Sequence, residues 1–159
     1  YDVEFYRDII LKIRDKSPNI EISSDFIIGY PGESEQDFIN TLDLIDDIKF
    51  TQSYSFIYSA RPGTKSAMIE DNLTKKVKSE RLKILQSKLT EIQHDFNKTH
   101  VGKKTSVLIE NQSATNPEYY FGRTPYMQSV YIKSNNLING EEKDIKITSC
   151  NHKSLYGTC

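Results

Sequence analysis

Two glycine-containing turns carry the residue types in this sequence that could bind a ligand. The first, Gly29-Tyr30-Pro31-Gly32-Glu33, directly follows the apolar run Phe26-Ile27-Ile28. Glycine has no side chain to hold a ligand away, so backbone N–H and C=O groups in such a turn can contact it. The same residues also suit an ordinary strand-to-helix turn, with the glycines needed for geometry and Glu33 as part of a helix cap. Both interpretations stay open on spacing alone.

The second turn is Tyr58-Ser59-Ala60-Arg61-Pro62-Gly63-Thr64. Arg61 could hold a carboxylate or a phosphate through two parallel hydrogen bonds, although a lone arginine in a loop is usually solvated. Each turn comes directly after a predicted strand. If these strands are parallel neighbours, both turns lie at the edge of the sheet where α/β folds build their sites. The two turns are therefore a candidate for one shared site.

The elements that would position these turns alternate between helix and strand. Apolar spacing predicts helices over residues 3–16 and 34–48, the second capped by Ser34, and strands over residues 20–28 and 51–59. Short links between alternating elements are typical of a parallel sheet. Because two strands cannot cover their own faces, we expect a slice of a larger parallel sheet or barrel, with unpaired edges and an exposed apolar face.

The remainder of the chain predicts a long helix and then a different kind of domain. The helix, over residues 73–99, has one apolar stripe among many lysines. A coiled coil is one interpretation, but a stripe of about two heptads favours an outer helix that leads to the next domain. Short predicted strands then follow at 105–110, 119–124, 129–133 and 144–149, which indicates a small antiparallel β-barrel. The predicted domains are 1–99 and 100–159.

Charge divides the chain in a similar way. Residues 1–70 carry 7 Lys/Arg and 13 Asp/Glu, whereas residues 71–159 carry 14 and 9, so the second half is the candidate for an anionic partner. The two cysteines, Cys150 and Cys159, match no common metal motif, and we expect free thiols and no metal site in this chain. Without a signal-peptide pattern or a long apolar run, we expect a cytoplasmic protein with no membrane contact.

Five motifs give the sequence a resemblance to a known family. Residues 25–34 resemble the D-x-I-x-G-F-P-G-E-T strand of the radical S-adenosylmethionine methylthiotransferases, and residues 56–64 resemble the F-x-Y-S-x-R-P-G-T strand of their tRNA-modifying members. Glu80-Arg81 in the long helix, Val101-Gly102-Lys103 and Gly122-Arg123-Thr124 are similar to the linking helix and the RNA-binding TRAM domain of that family. The motifs occur in the family's order along nearly the whole chain.

The resemblance implies a fold and an activity. The fold would be α/β followed by all-β: a partial (β/α) radical-SAM barrel, a long linking helix and an OB-like TRAM barrel. The enzyme would methylthiolate C2 of N6-isopentenyladenosine beside the tRNA anticodon, using S-adenosylmethionine. The resemblance implies cofactor-binding roles, regional rather than certain for any one residue, for Gly29, Tyr30, Gly32, Glu33, Tyr58, Ser59 and Arg61. It assigns no residue as the catalyst.

The family's cysteines are missing from this chain. The family uses a C-x-x-x-C-x-x-C triad and three further cysteines to hold two 4Fe-4S clusters, whose ligands would lie outside this chain. Together with a start inside a helical pattern, this indicates a C-terminal piece that works with the N-terminal remainder of the same enzyme and is inactive alone. The alternatives are a non-catalytic RNA-binding protein with a barrel remnant, or the branch that modifies a ribosomal-protein aspartate.

The TRAM-like segment is expected to bind tRNA. The predicted contacts are Lys103, Lys104, Arg123 and Thr124, with Tyr119, Tyr120 and Tyr126 as an exposed stacking surface and Lys75, Lys76 and Lys78 possible additions to the basic patch. The alternative is that the lysines only confer solubility and the tyrosines belong to the barrel core.

Overall fold

The computed structural model describes residues 2–114 and 116–159. The chain divides into two compact units, Tyr1–Leu89 and Thr90–Cys159. The division falls inside the long helix α3 (Lys75–Lys98). An α/β unit is thus followed by an all-β barrel, which confirms the predicted fold class.

The first unit alternates between helix and strand as predicted. It contains α1 (Val3–Lys16), β1 (Ser23–Ile28), α2 (Glu35–Ile48) and β2 (Gln52–Ile57). β1 and β2 are parallel and pair from Ser23 opposite Gln52 to Ile28 opposite Ile57, which confirms the predicted strand direction. The sheet has two strands and does not itself close into a barrel. A short 3-10 helix, Lys65–Met68, lies between β2 and α3 and was not expected from the sequence.

Packing on the two faces of this sheet is unequal. Phe26 and Ile28 are buried, and the Phe26 ring meets the Phe50 ring edge to face at 5.3 Å. On the other face, Ile27 lies opposite Phe56, and these two side chains are 59% and 55% exposed. The predicted uncovered apolar face is therefore confirmed.

Helix α2 begins with a reciprocal cap. The Ser34 hydroxyl accepts the Asp37 N–H, while the Asp37 carboxylate accepts the Ser34 backbone N–H at 2.9 Å. This arrangement satisfies N–H groups that the first turn of a helix leaves free. The Ser34 hydroxyl also donates to the Asp37 carboxylate, and both hydrogen bonds from Ser34 lower the pKa of Asp37.

The cap should make part of the stability of this unit depend on pH. Because the folded pKa of Asp37 lies below its ordinary value of 3.8, its contribution is complete above that pH and is lost as the pH falls through the lower folded pKa. Asp37→Asn should thus lower the urea midpoint at pH 6, and the difference from the wild type should shrink near pH 3. Asp43→Asn removes an exposed charge from the same helix and is the control. If Asp37→Asn lowered the urea midpoint equally at pH 6 and pH 3, the ionised Asp37 carboxylate would not be what stabilises the cap.

The second unit is a closed five-stranded barrel in the order β3-β4-β5-β7-β6. The strands are β3 (Lys104–Gln112), β4 (Tyr119–Arg123), β5 (Ser129–Lys133), β6 (Glu142–Cys150) and β7 (Ser154–Thr158). The sequence predicted the first four, and β7 was missed. The predicted small antiparallel barrel is confirmed: four of its strand pairs are antiparallel, and one pair, β5 with β7, is parallel. A ring of five strands cannot alternate direction throughout, so closure requires at least one parallel pair.

The barrel core is filled by alternate residues of its strands. Branched aliphatic side chains dominate this core, which contains Val107, Ile109, Tyr120, Val130, Ile132, Leu137, Ile145, Ile147 and Leu155. The intervening residues of each strand therefore face outward, as the period of two requires. Within the described parts of the chain, no helix combines the length and apolar character needed to cross a membrane.

Candidate functional site

The first glycine turn is closed by its own carboxylate. Gly29 and Gly32 have φ angles of +75° and +87°, in the left-handed region that glycine adopts without strain. The Gly29 N–H donates to Oε2 of Glu33 at 2.9 Å, and the Glu33 N–H donates to the Tyr30 carbonyl at 2.9 Å. Glu33 therefore shapes the turn from inside.

Arg81, from helix α3, holds the same carboxylate. Its Nη1 lies 2.6 Å from Oε1 of Glu33, its Nη2 lies 2.7 Å from Oε2 of Glu35, and its guanidinium lies over the Phe38 ring at 5.2 Å. Burial lowers the pKa of Arg81, but the hydrogen bonds to Glu35 and Glu33 outweigh this and the pKa is raised. Both oxygens of Glu33 thus accept hydrogen bonds from within the protein, and its cofactor-binding role stays a prediction.

Sequence reasoning gave Arg81 no role in the site. Arg81, Leu85 and Leu89 are spaced by four residues, and all three are buried. An arginine on the buried face of an amphipathic helix is a signal for a buried ion pair, because a buried charge needs a partner.

Lys78 supports the turn from the same helix. A Cβ atom at Gly29 would lie 2.7 Å from both Cγ and Cδ of Lys78, so the lysine stem packs directly on the glycine. The Lys78 ammonium donates to Asp71 at 2.5 Å, which lowers the pKa of Asp71. Lys78 is buried, and its suggested addition to a basic RNA-binding patch is therefore wrong.

The structure brings the two predicted turns together. The Tyr58 N–H donates to the Ile28 carbonyl at 2.8 Å, and the Tyr30 and Tyr58 rings meet edge to face at 5.2 Å. The hydroxyl oxygen of Tyr58 is buried and has no hydrogen-bond partner among the described residues. Ser59 and Arg61 are exposed beside it in sequence. A buried polar atom usually has a hydrogen-bond partner, so this unpaired oxygen is an exception that needs an explanation.

The predicted RNA contacts in the barrel differ from one another in their surroundings. Lys103 and Lys104 are exposed at the start of β3. Arg123 is half-buried: its Nη1 donates to the Met127 carbonyl at 3.1 Å, and its Nε lies 3.2 Å from Oε1 of Glu110. Its guanidinium also lies over the Phe121 ring, 5.4 Å from the centroid.

Thr124 is buried and belongs to the β4–β5 turn. Its hydroxyl donates to Oε1 of Gln128 at 3.0 Å and accepts the N–H groups of Tyr126 and Gln128. Gln128 in turn donates to Asn97, which donates to the Asn151 carbonyl. The Thr124 hydroxyl is thus fully used in a buried network, and a contact of Thr124 with RNA stays a prediction.

Of the three tyrosines expected to stack on RNA, one is buried and two are half-buried. Tyr120 lies in the barrel core, which overturns its predicted exposure. Tyr126 is half-buried, with its ring 5.5 Å from that of Phe96 and 5.8 Å from that of His100. Tyr119 is half-buried on the outer face of β4.

Comparison with known proteins finds similar proteins for the barrel and for the chain as a whole. Residues 98–159 match the TRAM domain family. Over 158 residues the chain is 46% identical to tRNA-2-methylthio-N(6)-dimethylallyladenosine synthase of Rickettsia felis. The aligned stretch covers 99% of this chain and 35% of that protein. The synthases of Rickettsia rickettsii (strain Sheila Smith) and Rickettsia bellii (strain OSU 85-389) are 46% and 44% identical over the same shares. The chain is therefore similar over nearly its whole length to part of these synthases, and its barrel matches the TRAM domain family. It spans about a third of the length of these relatives.

The net positive charge of residues 71–159 is shared between the long helix and the barrel. Residues 71–97 carry 6 Lys/Arg and 4 Asp/Glu, and residues 98–159, which match the TRAM domain, carry 8 and 5. Four of the six cations in the first stretch pair with acidic side chains, namely Lys76 with Glu80, Lys78 with Asp71, Arg81 with Glu33 and Glu35, and Lys88 with Asp46. Much of the positive charge of the first stretch is thus paired within the first unit, so individual side chains of the barrel must carry the argument for an RNA surface there.

Proposed function

We propose that this chain is the C-terminal part of an enzyme that methylthiolates C2 of N6-dimethylallyladenosine in tRNA. In this proposal residues 1–99 line part of the pocket for cofactor and adenine, and the TRAM barrel at residues 100–159 binds the tRNA. The observation that carries it is identity of 46% over 99% of the chain to a synthase whose name states this product. The relatives found carry the tRNA name, which favours this branch over the one that modifies a ribosomal protein.

The two joined turns are the proposed binding pocket for S-adenosylmethionine. This cofactor would supply the methyl group. The buried, unpartnered Tyr58 hydroxyl oxygen supports this role, and so does the open space beside Gly32, where a Cβ atom would meet nothing within 4 Å. Backbone at such a glycine can approach a ligand closely. The proposed contacts are Gly29, Tyr30, Gly32, Tyr58, Ser59 and Arg61, and Glu33 with Arg81 would fix the shape of the first turn.

The residues of this chain do not suit a 4Fe-4S cluster. Such clusters are held by sets of cysteine thiolates, and the two cysteines here both lie in the barrel unit, Cys150 half-buried and Cys159 exposed. The described residues contain no group of three His, Cys, Asp or Glu side chains placed to hold a metal ion. In this proposal, therefore, the cluster ligands belong to the remainder of the enzyme.

A chimera tests the proposed function. The aligned region of the Rickettsia felis synthase is replaced by this chain, and the 2-methylthio product is measured in tRNA by mass spectrometry of nucleosides. We expect product from the chimera and none from the synthase truncated before this region. A chimera that binds tRNA without forming product would favour the non-catalytic alternative, whereas one that neither binds nor reacts would overturn the proposal.

Within the predicted set of RNA contacts, removal of Arg123 should correspond to the loss of a single phosphate contact. Arg123→Ala in the full chain should weaken tRNA binding, and the slope of log affinity against log salt should fall by about 0.7–0.9, the value of one phosphate contact. Glu110→Gln is the matched variant, because it frees Arg123 from its acidic partner, and it should bind tRNA more tightly. Unchanged affinity and salt slope for Arg123→Ala would show that Arg123 contacts no phosphate.

A further inference from the structure

The outer face of the TRAM barrel carries two adjacent rows of side chains that extend beyond the predicted RNA contacts. The first row follows the cross-strand pairs Lys104–Lys146, Lys146–Thr158, Thr158–Lys133 and Lys133–Tyr119. We name Lys104, Lys146 and Lys133 the lysine row. It joins cations from β3, β6 and β5 that are far apart in sequence, so no local charge pattern reveals it.

An aromatic row lies beside the lysine row. Phe121 pairs across strands with Tyr131, and Tyr131 with Tyr156. The ring centroids are 5.5 Å and 5.8 Å apart, and the two tyrosine rings are stacked with an interplanar angle of 21°. The Asn151 side chain donates to the Tyr156 hydroxyl at 3.0 Å. Residues two apart on a strand share a face, so this row runs about 7 Å from the lysine row along the strands.

The lysine row has an electrostatic cost that an anion would remove. Lys104 and Lys146 are exposed and directly opposite one another on antiparallel strands, where like charges repel. Neither has an acidic partner within the described residues, and Lys133 has only the exposed Glu118 at 3.6 Å. A chain of phosphates along this row would offset the repulsion.

We propose that the two rows together bind a single-stranded segment of RNA, with phosphates on the lysine row and unpaired bases stacked on the aromatic row. This inference rests on the proposed tRNA-binding function and specifies which part of the RNA is bound. Bases inside a duplex are stacked on their neighbours, so only unpaired nucleotides can reach both rows. Because every base has a π-face, the surface should tolerate different sequences.

Binding of a fluorescein-labelled single-stranded RNA decamer to the full chain tests the two rows separately. We expect affinity at least tenfold higher than for the same sequence as a duplex. Tyr131→Leu should weaken single-strand binding about tenfold with an unchanged salt slope, and Tyr131→Phe should bind like the wild type. Lys146→Gln should lower the salt slope by about 0.7, whereas Lys153→Gln, an exposed lysine outside both rows, should leave the slope unchanged.

A tryptophan introduced by Tyr131→Trp provides a direct readout of stacking, since the natural chain has none. Fluorescence of this variant should be quenched by an unlabelled decamer, whereas Ile138→Trp, exposed outside both rows, should not respond. If tRNA binds but Tyr131→Leu and Lys146→Gln bind the decamer like the wild type, this inference is wrong and the proposed function survives. Decamer binding by Tyr131→Trp without quenching also overturns the stacking role. If the chain binds no tRNA at low salt, the proposed function fails as well.

Discussion

Arg81→Met is expected to destabilise the first unit by about 3 kcal/mol, because it leaves the buried Glu33 carboxylate without its cation. The side chains of Arg81 and Glu33 are only 6% and 11% exposed, so water cannot replace the lost partner. The Glu35 side chain is 72% exposed, so loss of its ion pair with Arg81 should change stability little. Urea titration of the full chain gives the free energy of unfolding. Hydrogen exchange at the Gly29 amide, whose acceptor is Glu33, should accelerate as the local sign of a loosened turn.

Lys88→Met is the matched control for this prediction. Lys88 lies on α3, like Arg81, and pairs with Asp46 of α2. Both side chains of this pair are partly exposed, and an exposed pair contributes at most about 1 kcal/mol. The double variant Arg81→Met with Glu33→Gln should recover part of the loss, since it removes the uncompensated charge. If Arg81→Met cost no more than Lys88→Met, the Arg81–Glu33 pair would not be what holds the turn.

Local signals in the sequence were enough to predict the main helices and strands of the first unit. Ser34 with Asp37 three residues later marks the start of α2, and Pro18 marks the end of α1 at Lys16. The alternation of helix and strand then implies parallel pairing, which the register of β1 and β2 confirms. Each of these inferences depends on residues close together in sequence.

The missed strand β7 depends on distant residues instead. Its sequence, Ser154-Leu155-Tyr156-Gly157-Thr158, is short and contains a glycine, which normally weakens a strand. Only the closed barrel explains that glycine. A Cβ at Gly157 would lie 2.5 Å from Cγ2 of Ile145 and 2.7 Å from the Lys146 carbonyl oxygen. The glycine therefore allows β6 and β7 to approach, and a pattern within one strand cannot show this.

The site shows the same limit. Both glycine turns could be located from the sequence, because the conformation of a turn depends on adjacent residues. Sequence reasoning did not find that Arg81 holds Glu33 across 48 positions. It based the RNA surface on net charge and the Gly122-Arg123-Thr124 motif. It could not show that cations of α3 are paired within the first unit, or that the lysine row joins three separate strands. Ion pairs and cross-strand rows are products of the fold.

Gly122→Ala is expected to destabilise the barrel by about 3 kcal/mol, at the upper end of overpacking effects. A Cβ at this position would lie 2.5 Å from the backbone carbonyl oxygen of Leu108 and 2.7 Å from Cγ1 of Val107. A flexible side chain could move aside, but the Leu108 backbone is held in β3, which pairs with both β4 and β6. Relief of the clash would therefore require displacement of paired strands. Urea titration with far-UV circular dichroism measures the loss.

Gly140→Ala separates this steric effect from the general cost of replacing a glycine. Nothing lies within 4 Å of a Cβ at Gly140, but its φ of +87° makes any side chain strained by about 1–2 kcal/mol. Gly122 has no positive φ, so its replacement tests packing alone. Gly122→Ala should be the more damaging of the two, although its backbone conformation suits alanine better. The opposite order would mean that β3 and β4 can separate without loss, and that the close approach at Gly122 is not required for closure of the barrel.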